Sequence, residues 1–145
     1  MTRWILTLVA IMAVSTITHA APIPSQVYRW DDLAVEQKET GQRRPILEGS
    51  TTHLDWFAVH ASTVQPNVAL HASHTHTDTE ELVIVKEGTL RVSINEKQRV
   101  MGPGSVAYFL PGDEHGLSNA GDTPVPHNIR NAGQVPCEYF AFKWR

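Results

Sequence analysis

Cysteine is nearly absent: Cys137 is the only one in 145 residues. That excludes an intramolecular disulfide and any zinc cluster built on thiolates. A cationic excess is missing too. Twelve Lys and Arg stand against 15 Asp and Glu, a formal net charge of −3, so no basic face argues for nucleic acid. Beyond the first twenty residues no apolar run is long enough to cross a bilayer. Nothing after residue 40 carries the spacing of an amphipathic helix. What is plentiful is histidine, with eight residues. The length is that of one domain, with a core large enough to need no covalent staples.

Residues 1–20 read as a secretory signal. Arg3 gives the positive start, residues 4–14 the short apolar stretch, and residues 15–20 a small, polar end suited to cleavage after Ala20. The expectation is an exported protein, periplasmic or extracellular, with no membrane attachment once the signal is removed. An uncleaved anchor is the alternative. Residues 21–43 read as a polar N-terminal arm, and 44–145 as the folded barrel. In the arm, Asp31 or Asp32 is suited to cap a short helix over residues 33–38, ended by Gly41. An extended arm over the barrel or a partner subunit fits the same residues.

From Pro45 onward the period is two, not that of a helix. Strands are expected within residues 54–64, 68–76, 81–85, 89–95, 105–110 and 137–144. The clearest is 89–95, where Leu90, Val92 and Ile94 alternate with Arg91, Ser93 and Asn95. Turns are expected at residues 101–104 and 111–113. Short strands with Gly and Pro punctuation imply an all-β sandwich or barrel.

The chemistry concentrates in residues 74–88. His74 and His76 are two apart, so along a strand both imidazoles leave one face. Glu81 heads the apolar run from Leu82 to Val85, and Gly88 closes it. Two imidazoles and a carboxylate from neighbouring strands can hold a divalent transition metal, and a further ligand is expected downstream. Glu81 is preferred over Glu80, which would face the other way on a strand.

His115 follows the turn at residues 111–113, with Gly104 and Gly112 ahead of it and Asn119 behind. Taken with the first motif, this pattern resembles the cupin superfamily. His74, His76, Glu81 and Gly88 meet the spacing of its first motif, and Gly104, Gly112, His115 and Asn119 that of its second. Two positions depart from the pattern: Leu110 stands where proline is usual, and Asn67 or Val68 near where glycine is usual. The resemblance implies a single jelly-roll cupin barrel with His74, His76, Glu81 and His115 as metal ligands. It also implies frequent homodimers through sheet packing.

His115-Gly-Leu-Ser-Asn119-Ala-Gly is echoed by His127-Asn-Ile-Arg-Asn131-Ala-Gly, an internal tandem duplication. Only His115 has glycines at the preceding motif positions, where turn geometry needs them, which favours it. The alternatives are His127 as ligand with His115 in a loop, or residues 120–131 as an excursion before the last strand. His71 reads as a rim or surface residue. His60 reads as a surface or satisfied core histidine that would otherwise line the cavity. Trp56, Phe57, Tyr108, Phe140, Phe142 and Trp144 read as cavity or core aromatics, with core packing the default for each. Cys137 reads as a buried small hydrophobe, and Arg43-Arg44 as solvated charge.

Three imidazoles and one carboxylate leave open positions on an octahedral ion, unlike a closed structural zinc site. Such a site accepts Fe, Mn, Ni, Cu, Zn or Co, and its donors do not single out one. Open positions suit a small molecule that chelates through paired oxygens. The first expectation is an exported metal-dependent oxidoreductase of dioxygenase type, with Glu81 able to shuttle a proton if it detaches. The alternatives are a non-enzymatic module that binds a sugar or organic acid through its metal, and a metal-dependent isomerase or lyase.

Overall fold

Alternation in residues 89–95 becomes a strand with Leu90 and Val92 buried and Arg91 and Ser93 only half-buried. A computed structural model describes residues 22–119 and 135–145. The expected signal at residues 1–20, and His127 and Asn131 of the second repeat, lie outside the described residues.

Ten antiparallel strands fall in two sheets among the described residues. They are β1 Glu36–Lys38, β2 Gly41–Gly49, β3 Phe57–Val64, β4 His74–Thr75, β5 Glu80–Glu87, β6 Leu90–Ile94, β7 Lys97–Met101, β8 Val106–Phe109, β9 Glu114–Asn119 and β10 Cys137–Trp144. One sheet runs β1-β2-β3-β10-β5-β8 and the other β4-β9-β6-β7. Two facing sheets with the chain crossing between them make the jelly-roll barrel that the resemblance implied.

The core lies between the sheets. Val83 and Val85 of β5, Phe109 of β8 and Tyr139 of β10 meet Leu90, Val92 and Leu117 from the opposite layer. Burying each large side chain contributes about 1.5–3 kcal/mol. Cys137 is fully buried in this cluster, as expected. Burial, with help from Glu87 and Glu138, pushes its thiol up to about 12.

Register decides what faces the interior. Glu81 of β5 lies opposite Phe109 of β8 on one side and Lys143 of β10 on the other. Lys143 in turn lies opposite Ala58 of β3. A step further into the barrel, Val83, Ala141, His60 and Pro45 form the next row. Val85, Tyr139, Ser62 and Arg43 form the one after. Because side chains alternate along a strand, every member of these rows points inward.

Several local expectations differ from the structure. Residues 33–38 form no α-helix: a 3₁₀ turn at Trp30–Asp32 leads into β1, which pairs with β2 through Glu36–Arg43. The sheet ladder outweighs the weak capping signal of the two aspartates. Of residues 68–76 only His74–Thr75 is regular strand, with Ala69 adding an isolated bridge to Ser118. The left-handed turn at Asn67, φ 58°, breaks the run before it. β7 and β9 were not legible. Lys97, Gln98 and Arg99 are exposed and show no apolar alternation, so β7 exists because β6 offers it a partner.

The aromatics also sort differently from the core-packing expectation. Phe140, Phe142 and Trp144 share the outward parity of β10 and are half-buried. Trp144 stacks on Tyr108, which is 44% exposed, at 6.1 Å between centroids. Trp30 covers Phe140 edge-on and carries Lys86 and Arg44 over its ring.

Candidate metal centre

The four-stranded sheet delivers the histidines. β4 and β9 pair so that His74 lies opposite His115. His76 follows directly after β4, its carbonyl accepting the Gly112 N–H at 2.8 Å. The six-stranded sheet delivers Glu81 from the start of β5. One ligand atom from each of His74, His76, Glu81 and His115 falls within 4.8 Å of the others. All four residues singled out in the sequence are therefore brought together. His127 lies outside the described residues, and His71 stands beside the group without joining it.

The contacts inside the cluster are those of atoms that share a space. The His74 and His76 Nε2 atoms are 3.2 Å apart. Glu81 Oε2 is 3.3 Å from Nε2 of His76 and 3.3 Å from Nε2 of His115. Lys143 Nζ is 3.2 Å from the same carboxylate oxygen and 3.4 Å from His76 Nε2.

The protonation of His115 can be assigned from its partner. Its Nδ1 lies 3.1 Å from the Asp113 carbonyl, and a carbonyl only accepts, so Nδ1 carries the hydrogen. In the neutral ring Nε2 is then the lone-pair nitrogen, buried and 3.3 Å from Glu81 Oε2. Neither His115 Nε2 nor Glu81 Oε2 has a hydrogen-bond partner, although both are buried. Lys143 Nζ offsets the Glu81 charge from 3.2 Å, but no donor serves His115 Nε2, and a buried acceptor left so is costly unless a cation reaches it. That is the test a metal site must meet, and these residues meet it. Donation from the far ring nitrogen to a fixed acceptor is also how metal-binding imidazoles are oriented.

Asp113 holds this arrangement through its side chain as well. Its carboxylate accepts the Leu110 N–H at 3.0 Å and the Asn95 amide at 2.7 Å. The Leu110 and Asn95 donors hold its carboxyl below the usual range. Gly112, at φ +91°, turns the chain between them. The turn therefore forms although Leu110 stands where the motif prefers proline.

Burial, followed by the neighbouring His71 and His115 rings, lowers the His74 pKa. Burial and then Lys143 lower that of His76, against the pull of Glu81. Neutral imidazoles are the form that ligates. Phe109 stacks on His115 at 4.4 Å and closes the inner side.

A cavity of about 670 Å³ opens from Glu81 towards β2 and β3. His60, Ser62 and Tyr139 line it, with Arg43, Lys143 and Trp56. Burial, then Arg43 and Lys143, push the His60 imidazole down to about 4. His60 thus takes the cavity role that was its less favoured reading. Arg43 faces the cavity and pairs with Glu36 at 3.3 Å, whereas Arg44 stacks on Trp30, so the pair is not one solvated patch. Lys143 was not singled out in the sequence. The signal was there: it shares the parity of Tyr139 and Ala141, opposite to that of Phe140, Phe142 and Trp144.

Residues 61–125 match the family model described as a cupin domain. The fold is a cupin barrel. An RmlC-like cupin from Shewanella frigidimarina superposes with a TM-score of 0.63 at 13% identity, covering 83% of this chain and 91% of that one. KdgF from Halomonas superposes at 0.61 with 13% identity, over 83% and 95% of the two chains. A sugar phosphate isomerase from a cupin superfamily, from Silicibacter pomeroyi, superposes at 0.58 with 18% identity, over 83% and 76%. At such identities the likeness concerns the cupin fold alone. No curated protein matches the chain.

Proposed function

We propose that this cupin is a metal-dependent enzyme acting on a small molecule that chelates the ion through paired oxygens, by oxidoreductase chemistry of dioxygenase type. The observation that carries the proposal is the convergence of His74, His76, Glu81 and His115, whose ligand atoms lie within 4.8 Å of one another, with His115 Nε2 buried among them and without a hydrogen-bond partner. His74, His76, Glu81 and His115 would hold the ion. It would supply Lewis acidity and, if iron or manganese, redox chemistry. The chain's own part is orientation and exclusion. Phe109 and the valine core keep water from the inner side, and the cavity by His60 and Trp56 admits the substrate. Glu81 Oε2 and Lys143 Nζ are the groups placed to accept and donate a proton beside a bound molecule. The signal read in residues 1–20 makes the setting periplasmic or extracellular.

A second reading is metal-dependent isomerisation or lyase chemistry on a sugar-like substrate. It is favoured by the fold neighbour named a sugar phosphate isomerase, and by the Glu81–Lys143 pair, which suits proton transfer without redox change. Elemental analysis of protein from its native compartment comes first. Anaerobic reconstitution with Fe(II) or Mn(II) and oxygen-uptake assays on enediols, catechols and dicarboxylates follow. Oxygen uptake coupled to substrate loss supports the first reading. Conversion of sugar acids without uptake replaces it by the second. A ligand that raises thermal stability and is recovered unchanged replaces both by a binding module.

A further inference from the structure

The charges around the ligand cluster point to the class of molecule it takes. Lys143 Nζ shares Glu81 Oε2 with the two histidine nitrogens, at 3.2 Å from that oxygen. An ammonium and a divalent ion repel at such range, and the single negative charge of Glu81 cannot offset both. An ion seated on Glu81 therefore leaves Lys143 only a share of that one negative charge, however the two divide the carboxylate oxygens. The ammonium cannot leave the interior, because the register of β10 fixes Lys143 on the inward face beside Ala141 and Tyr139. It turns to the cavity instead, with the imidazoles neutral and only Glu81 to offset the charge of the ion. The acids on the cavity wall do not compensate, since Glu39 and Glu48 lie exposed at its mouth. Arg43 lies deeper in, beside His60 and Ser62, with its charge offset by Glu36 at 3.3 Å.

Resting on the metal reading above, we propose that Lys143 is the anchor for a carboxylate on the substrate. The substrate class is then a small acid whose carboxylate neighbours a second chelating oxygen, such as a 2-hydroxy acid, a 2-oxo acid or a dicarboxylate. Neutral polyols and neutral sugars are disfavoured, because they leave the ion and the Lys143 ammonium with only the one charge of Glu81 to offset both.

The test uses the full chain loaded with Co(II), whose visible absorption reports ligand exchange at the ion. Glycolate serves as the anionic chelator and imidazole as the neutral ligand. Lys143→Met keeps the apolar stem and removes the charge, and Lys143→Arg keeps the charge. Lys143→Met is expected to weaken glycolate binding at least tenfold and to leave imidazole within twofold. Lys143→Arg should restore most of the glycolate affinity. Without any anion, Lys143→Met should bind Co(II) several-fold more tightly, since a competing ammonium is gone. A residue with a purely structural role would not move these two affinities in opposite directions. Glycolate binding unchanged in Lys143→Met, or both probes weakened equally, overturns the proposal while leaving the metal reading intact. Failure of the unaltered chain to take up Co(II) overturns both.

Discussion

Acidification offers a direct reading of how His60 is held. The imidazole titrates at about 4 in the folded chain, against an ordinary value of 6.5. Burial is the main cause, with Arg43 and Lys143 adding to it. Between those two values the unfolded chain binds a proton that the folded chain refuses. Stability is therefore complete above the unfolded value and is lost as the pH falls towards the folded one. From about pH 7 to about pH 4.5 the loss assigned to this one group comes to about 2.5 kcal/mol, a ceiling because the ring is half-buried and water screens it. Carboxylates titrate over the same span, so the comparison must be made against His60→Gln, which cannot gain the proton. Urea unfolding of both proteins, with a chelator present, gives the stability at each pH. The unaltered chain should lose up to about 2.5 kcal/mol more than the variant over this interval. Equal losses within about 0.5 kcal/mol would refute the reasoning, since that is the scatter of independent sites. So would an imidazole titration of His60, followed by NMR, with a midpoint near its ordinary value.

Three further outcomes follow from the same geometry. Gly88→Ala should cost about 2–4 kcal/mol in urea unfolding, because φ is +75° and a Cβ there would stand 2.8 Å from both Cys137 Cα and the Pro136 carbonyl oxygen. Glu81→Gln should weaken divalent-metal binding by at least about tenfold in a chelator competition. In metal-free buffer the same variant should be less stable than the parent in urea unfolding, because it leaves the half-buried Lys143 ammonium without its carboxylate partner. Cys137 should stay unlabelled by a thiol reagent under native conditions and react fully in denaturant, since its thiol is buried and pushed up to about 12.

The convergence of His74, His76, Glu81 and His115 was legible partly from strand parity, for the two early histidines, and otherwise from the resemblance to the cupin motifs. His74 and His76 share a face by parity, and the glycines at 88, 104 and 112 all adopt positive φ, the conformation that confines those positions to glycine. Strand β6 was legible for the same kind of reason, since alternation there decides which residues are buried. β7 and β1 were not, because neither buries an apolar stripe of its own and each exists by hydrogen bonding to a neighbour. The cavity was the least legible part. Arg43, His60 and Lys143 are far apart in the chain, and only the pairing of β2, β3, β10 and β5 sets them in adjoining rows. Sequence parity can say that Lys143 faces inward, but register is needed to place it beside Glu81.

The four candidate ligands do not come from one layer. Glu81 belongs to the six-stranded sheet, His74 and His115 to the four-stranded one, and His76 to the chain just beyond β4. An ion held by all of them would rivet the two walls together at one end of the barrel. Its removal would then be felt as mechanical slack as much as lost reactivity: the walls would slip past one another most easily at that rim, where proteases and hydrogen exchange would find their first opening.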